Sequence, residues 1–600
     1  MSTFKTDEEI TGRLTDKNLI KKLLTYFRGK GKAFLIAGIL MLSSILIDLA
    51  LPIIFGDAIK VLGEPVIIFS KVIMLVVIYA ICLLFSYIIQ YFQTMILQTT
   101  GQDIIYQMRE DVFGHIEKFS TAQVNEVPIG KLVTRVTSDT NTLNELFTNL
   151  LINLFRNLLM IVGVIVVMLL INIKLTLYVL AVTPFVALFS IIFRKVSRQT
   201  HRDVRYGVAN VNAFLSENLS GMKVTQVFNQ EEKKLNEFRD HNKHLRKTQL
   251  KQTFVFGIFR PSMYVLYLVA VVLVFWFGGK DSIGLTGQER LVAIATLIMF
   301  QQYIRQLFNP IQALADEFDL LQSAFASSEK IFEILDTEPG IQNEEDAVEL
   351  TNFRGEIEFK NVWFRYIEAE WVLKNVSFKI NAGDTVAFVG ATGSGKSTIL
   401  SLIVRNYDIQ KGQILIDGID IKNIKLDSLR RNFGQMLQDV FLFSGTISSN
   451  IRMRDDNITD EDIKAASTYV NANKFIEELP NKYEEEVRER GNNFSSGQRQ
   501  LLSFARTIVH KPNVIILDEA TANIDTETEV LIQDSMEKMM NIGTMIVVAH
   551  RLSTIQHADK IIVMQKGEII EEGTHQDLLK NKGHYFKLYE LQYQSVRDIK

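Results

Sequence analysis

Nine residues, GATGSGKST at 390–398, carry more chemistry than any other stretch of this chain. Gly390, Gly393 and Gly395 allow a loop tight enough to turn backbone N–H groups inward. Lys396 adds a positive charge, Ser397 a hydroxyl, and Thr392, Ser394 and Thr398 complete the stretch. An apolar strand, TVAFV, precedes the loop and a helix is expected over 399–404. In that setting Gly390 to Ser397 fit the phosphate-cradling pattern G-x-x-x-x-G-K-[ST], with backbone amides curled around the β- and γ-phosphates of a nucleotide, Lys396 supplying positive charge and Ser397 offering a hydroxyl to Mg²⁺. A second apolar strand, VIILDEA at 514–520, ends in two carboxylates. Asp518 suits a water-mediated Mg²⁺ contact, and Glu519 is placed to orient or deprotonate an attacking water. A third, TMIVVAHR, delivers His550 to a strand's C-terminal end, the edge where α/β sheets bind ligands.

FSSGQRQLLSFAR, at 494–506, is a further anion-site candidate. Small polar residues lead into an apolar-periodic run, which reads as a helix start with its first-turn amides left open rather than capped internally. Open amides and the helix dipole favour a phosphate.

These elements occupy one part of a long chain. Six hundred residues require at least two domains. Hydrophobic residues make up 47%, charged residues 22%, and mean hydropathy is +0.12, a mixture that fits a membrane half joined to a soluble half. The net charge of −3 gives no reason to expect a nucleic-acid partner. A single cysteine, Cys82, excludes an intrachain disulfide and a multi-cysteine zinc site.

Apolar runs at 33–55, 66–91, 152–171, 175–193, 254–277 and 291–310 are long enough to cross a bilayer. The connections at 93–151 and 194–253 are long and polar but keep a helical period, so helices two to five are expected to run on into the cytoplasm. About a dozen Lys and Arg between Lys195 and Lys251 mark that side. Ahead of the first span, Leu19, Ile20, Leu23, Leu24 and Phe27 share one helical face, as in an amphipathic helix lying on the cytoplasmic membrane surface. Asp48 and Arg305 within spans face other helices or a water-filled path. Arg156, Arg260 and Arg305 either snorkel or serve substrate, and Phe300, Gln301, Gln302 and Tyr303 either line a cavity or pack. The acidic stretch 336–350, with its Pro-Gly, ends this half. The expected organisation is a polar N-terminus and interfacial helix over 1–30, a helical transmembrane domain over 31–335, a linker over 336–353 and an α/β nucleotide-binding domain over 354–600.

With these motifs in this order, the chain resembles an ATP-binding cassette (ABC) transporter of the exporter class along nearly its whole length. The resemblance implies that Tyr366 stacks on adenine, that Gln438 reports the nucleotide and joins Ser397 and Asp518 around Mg²⁺, and that His550 contacts the γ-phosphate. The family's D-loop matches TANID, ending at Asp525, and a loop contacting the membrane domain resembles EEVRERG, with Arg488 where a small residue is usual. FSSGQ aligns with the family's Leu-Ser-Gly-Gly-Gln signature: Ser495, Gly497 and Gln498 match, whereas Phe494 and Ser496 replace leucine and glycine. In the family this loop closes over ATP held by a second chain, so a dimer is implied. Coupling helices are expected near 120–127 and 221–228.

An altered signature beside an intact Glu519 is similar to one subunit of the heterodimeric multidrug exporters of bacteria; a homodimer that tolerates serine is the alternative. The expected protein is a multi-pass ATPase of the cytoplasmic membrane, with both termini and the nucleotide domain in the cytoplasm, exporting small amphipathic compounds. A lipid flippase is the nearest rival, and a nucleotide-gated channel or regulator the rival of another class.

Overall fold

The computed structural model describes residues 17–64, 67–453, 455–518, 526–548 and 555–597. The chain forms two compact units. One takes in the chain up to Lys118 and Glu126–Glu338, the other Phe119–Asn125 and the chain from Pro339 onward.

The first unit is helical: α1 (Lys17–Tyr26), α2 (Gly31–Leu62), α3 (Phe69–Ile116), α4 (Thr121–Glu126, largely in the second unit), α5 (Ile129–Thr134), α6 (Thr140–Glu145), α7 (Leu151–Ile171), α8 (Ile173–Ser220), α9 (Met222–Val227), α10 (Glu231–Asp281) and α11 (Gly287–Asp336). Among the described residues six segments are long and apolar enough to span a bilayer: α2, α3, the continuous run Ile129–Ile171, α8, α10 and the Gly287–Leu314 part of α11. They coincide with the six apolar runs. At 1.5 Å per residue, the 48 residues of α3 extend about 72 Å, more than twice a hydrocarbon core of about 30 Å. The sixth helix also runs on, to Asp336, well past the 291–310 span. Its later part is polar enough to hide from a hydropathy window.

Between Ile129 and Ile171 the run is not uniformly α-helical. Arg135–Asp139 and Leu146–Leu150 are π-helical turns. The first turns Asp139 inward, where Arg135 pairs with it at 2.9 Å and Ser327 Oγ donates to it at 2.7 Å. α1 buries Leu19 and Leu23 but leaves Ile20 and Leu24 exposed. Lys22 pairs with Asp336, and Tyr26 donates to Asp111 at 3.0 Å, so the expected interfacial helix is seated on protein as well.

The spanning helices share a core of Val164, Val179, Met263, Val274 and Leu307, joined by Phe300 and Tyr303. Both aromatics are fully buried, and Tyr303 Oη donates to Leu49 O at 2.7 Å: these two pack, while Gln301 and Arg305 are exposed. Asp48 resolves likewise. Its carboxylate accepts from Ser86 Oγ at 3.1 Å and Arg156 at 3.2 Å, and Gln306 donates to its backbone oxygen at 3.1 Å. Four helices thus meet at Asp48, two of them at its carboxylate, which offsets the cost of a charge at membrane depth.

The second unit is α/β. Its strands are β1 (Ile357–Phe364), β2 (Leu373–Ile380), β3 (Thr385–Val389), β4 (Lys411–Ile416), β5 (Ile419–Asp420), β6 (Phe433–Met436), β7 (Gly445–Thr446), β8 (Glu486–Val487), β9 (Val514–Asp518), β10 (Thr544–Val548), β11 (Lys560–Gln565) and β12 (Glu568–Gly573). An antiparallel sheet runs β2-β1-β4-β5; a larger one runs β12-β11-β3-β10-β9-β6, parallel except at β12. β3 and β10 are buried throughout and β9 nearly so, as expected of parallel strands covered on both faces.

Candidate functional site

Parallel pairing brings the three motif-bearing strands together. β10 lies between β3 and β9, with Val548 opposite Phe388 on one side and Asp518 on the other. The phosphate loop therefore leaves the sheet at the same edge as Asp518. Glu519, Asp525 and His550, named from the sequence, lie outside the described residues.

The loop's geometry follows from its glycines. A Cβ on Gly390 would stand 2.3 Å from Met564 O, so the chain can leave β3 beside β11 only without a side chain there. Gly395 has φ +102°, left-handed backbone that glycine adopts without strain, and from it the chain enters α12 (Lys396–Ile403). The helix expected from Ile399 thus begins three residues earlier, putting Lys396 in its first turn. Lys396 is buried and its Nζ donates to the loop's own carbonyls, Gly390 O at 2.8 Å and Ala391 O at 3.0 Å, with Ser394 Oγ at 3.5 Å. Burial pushes the Lys396 ammonium below its usual pKa, and the Asp518 charge pulls the other way. A buried cation held by neutral carbonyls can exchange them for more negative oxygens. Ser397, Thr392 and Gly393 are exposed at the loop's mouth, whereas Ser394 and Thr398 are buried.

Tyr366 follows β1 and folds back onto the start of α12, its Oη donating to Thr398 Oγ1 at 3.1 Å. Its ring meets Phe364 and Tyr407 edge-on, and the residue is 49% exposed, which leaves room for a flat ligand. Burial holds its phenol above the usual pKa. Gln438 is exposed in the bend after β6.

The signature stretch corrects one expectation. Ser495 is the N-cap of the helix Ser496–Val509, and the cap is closed: Ser495 Oγ accepts from Gln498 N at 3.2 Å, while Gln498 Oε1 accepts from Ser495 N at 3.0 Å. The Gln498 amide of the first turn is thus capped internally. The spacing Ser-x-x-Gln is itself the capping-box signal. Phe494 is buried against Phe475 in the helical layer, and Arg499 donates to Phe494 O at 2.8 Å. Gly497 is buried, and Ser496 opens the helix.

Sequence reasoning missed Arg506 and Asn450. Arg506 donates to Phe441 O at 3.0 Å, Asn450 O at 2.9 Å and Asn450 Oδ1 at 3.0 Å. Asn450 in turn clamps both backbone groups of Phe443. Together they fix the chain just beyond Gln438 to the signature helix. No local spacing announces such a long-range clamp.

This is a nucleotide-binding P-loop domain joined in one chain to a six-helix membrane domain. Residues 34–311 match the ABC transporter transmembrane region and residues 373–522 the ABC transporter domain. The chain belongs to the ABC transporter family. It is 39% identical over 523 residues, 87% of this chain and 77% of the relative, to the probable multidrug resistance ABC transporter YheH of Bacillus subtilis. To the putative ABC transporter exp8 of Streptococcus pneumoniae it is 37% identical over 97% of this chain and 98% of the relative. Its structure is similar to that of a bacterial Atm1-family ABC exporter with ATP bound, with TM-score 0.78 and 27% identity over 94% of this chain and 99% of that one. The protein is thus a multi-pass ABC exporter that couples ATP hydrolysis to transport and works as a dimer.

Proposed function

We propose that this chain is one subunit of a heterodimeric exporter that expels amphipathic or hydrophobic compounds across the cytoplasmic membrane by alternating access. Ser496 carries the heterodimer reading: a side chain stands at the first residue of the signature helix, where the family has glycine, while the phosphate loop, Asp518 and Glu519 are intact. A Cβ there hinders close approach of backbone to a γ-phosphate. FSSGQ then covers a slow site whose glutamate the other chain lacks, and Glu519 hydrolyses ATP under the partner's signature loop. The B. subtilis relative's multidrug name supports the substrate class. An exposed apolar tip at α9, Val224, Val227 and Phe228, supports a partner surface.

In this reading residues 31–335 form the transmembrane domain and 354–600 the nucleotide domain, on the cytoplasmic side. Gly390 to Thr398 cradle the phosphates, Tyr366 stacks on adenine, and Ser495, Gly497 and Gln498 face the partner's ATP, with Asp525 beside them. His550 contacts the γ-phosphate, and Glu519 takes a proton from the attacking water. The Ser397 hydroxyl, the Gln438 side-chain oxygen and the Asp518 carboxylate are hard oxygen donors. They fit Mg²⁺, which takes few protein ligands and fills its octahedron with phosphate oxygens and water. When bound, that ion neutralises charge on the β- and γ-phosphate oxygens.

ATPase measurements on the purified chain, alone and with candidate partner subunits, test the assignment. Turnover that needs the partner is expected; robust turnover by the chain alone removes the heterodimer. A second reading, a lipid flippase, draws on the ATP-dependent lipid A-core flippase of Syntrophus aciditrophicus, 32% identical over 84% of this chain and 83% of that protein. Stimulation by lipid but not by amphipathic drugs would favour it.

A further inference from the structure

The segment Phe119–Asn125 follows α3 in the chain yet is held by the nucleotide-binding unit. Buried Gln123 accepts from Gly340 N at 2.8 Å and from Ser120 N at 3.0 Å, seating the segment against the start of the linker. Two residues on, Asn125 Nδ2 donates to Tyr407 Oη at 3.3 Å. The Tyr407 ring meets the Tyr366 ring edge-on, with centroids 5.1 Å apart and planes at 84°. Tyr366 in turn donates to Thr398 in the first turn of α12. A continuous line of contacts therefore runs from the 119–125 segment to the adenine platform and the phosphate loop.

The backbone around Tyr407 is fixed. Arg405, buried two residues earlier, donates to Asp408 at 3.0 Å, to Ile421 O and Lys422 O at 3.4 and 3.2 Å, and to Gln342 O at 3.3 Å. What can respond is the Tyr407 side chain, gripped at its hydroxyl by Asn125 and packed along its ring against Tyr366. Edge-to-face aromatic pairs depend on orientation, so turning one ring changes the seat of the other.

We infer that Tyr407 is a positioning residue through which the seating of the 119–125 segment sets the stacking surface of Tyr366, so that base binding and the position of that segment are coupled. The inference rests on the assignment of Tyr366 as the adenine platform. The coupling is reciprocal by linkage: a segment position that favours base stacking is itself favoured when a base is bound. Because the route starts at the base, it responds to ADP as it does to ATP. A route through Gln438, beside the phosphates, distinguishes the two.

The test uses the full transporter in lipid nanodiscs, reading KM and kcat for ATP hydrolysis and Kd for ADP. Asn125→Ala and Tyr407→Phe each remove one hydrogen bond without emptying the core. Each is expected to raise the ATP KM and the ADP Kd by a common factor, about 2- to 10-fold for one hydrogen bond, with kcat unchanged. Tyr366→Ala is expected to raise the same two constants. In that background Asn125→Ala is expected to add nothing, because the platform through which it acts is gone. The relay is overturned if Asn125→Ala leaves both constants unchanged, if ADP and ATP respond by different factors, or if its effect adds in full to Tyr366→Ala. Unchanged constants for Tyr366→Ala alone would overturn the platform assignment and the relay with it, and that single variant keeps the two failures apart.

Discussion

Lys396 directs its hydrogen bonds to carbonyls of its own loop, and Ser495 closes a cap on its own helix. Both groups are satisfied without a ligand, so in their proposed roles binding ATP exchanges contacts rather than creating them, and pre-organisation limits what must be ordered. Two substitutions test the proposed roles. Glu519→Gln is expected to cut steady-state ATP hydrolysis at least about 100-fold while leaving ATP binding intact, as loss of a general base does. Transport should fall in parallel; a gated pore would instead stay open longer. Ser496→Gly separates the two dimers. If Ser496 covers a site that lacks a glutamate, restoring glycine changes turnover by less than about 2-fold, whereas in a homodimer it speeds every site several-fold. The tight strand–loop–helix turn was legible in the sequence because its signal is local: three glycines, a lysine and a hydroxyl at fixed spacing after an apolar strand. The same locality makes the Ser495–Gln498 cap readable from its Ser-x-x-Gln spacing. Tyr407 was not legible, since nothing in RNYD announces that Asn125, far away in the chain, meets its hydroxyl.

At the scale of elements, the six spans followed from hydropathy, and the helical period of the polar stretches between them foretold the long extensions. Pairing between helices did not follow. Asp48 and Arg156 lie 108 residues apart and meet at 3.2 Å, with Ser86 on the other carboxylate oxygen. The sequence left Asp48 with either a helix or a water path to face; the fold gives it a partner on a third helix. Breaking a partly desolvated pair leaves the remaining charge uncompensated, so Arg156→Ala is expected to destabilise the protein by about 1–3 kcal/mol, discounted for the partial exposure of both groups. Asp48→Asn in the same chain should recover part of that loss, because the two sites act as one. Thermal unfolding in detergent, with all four members of the cycle, reads the interaction; additive losses would mean that the pair contributes nothing as a pair. The π-helical turns Arg135–Asp139 and Leu146–Leu150 do not follow from the hydropathy pattern either; Asp139, the last residue of the first, meets Ser327 on α11.

At the scale of the whole molecule, the phosphate loop is built on the parallel sheet, whereas the signature stretch caps a helix packed in the helical layer with Ile447, Ile463 and Ile476. In the proposed assembly each ATP lies between the phosphate loop of one chain and the signature of another, and the long helices carry closure of the nucleotide domains to the membrane. ATP drives that change only through tighter binding to the closed dimer than to the open one. The most direct measurement is a density map of the complete transporter carrying Glu519→Gln, trapped with ATP and Mg²⁺. The account predicts that the triphosphate held by Lys396 and Ser397 is contacted on its open side by the signature serine and glycine of the second polypeptide. A triphosphate gripped by Lys396 and Ser495 of one and the same chain would contradict it.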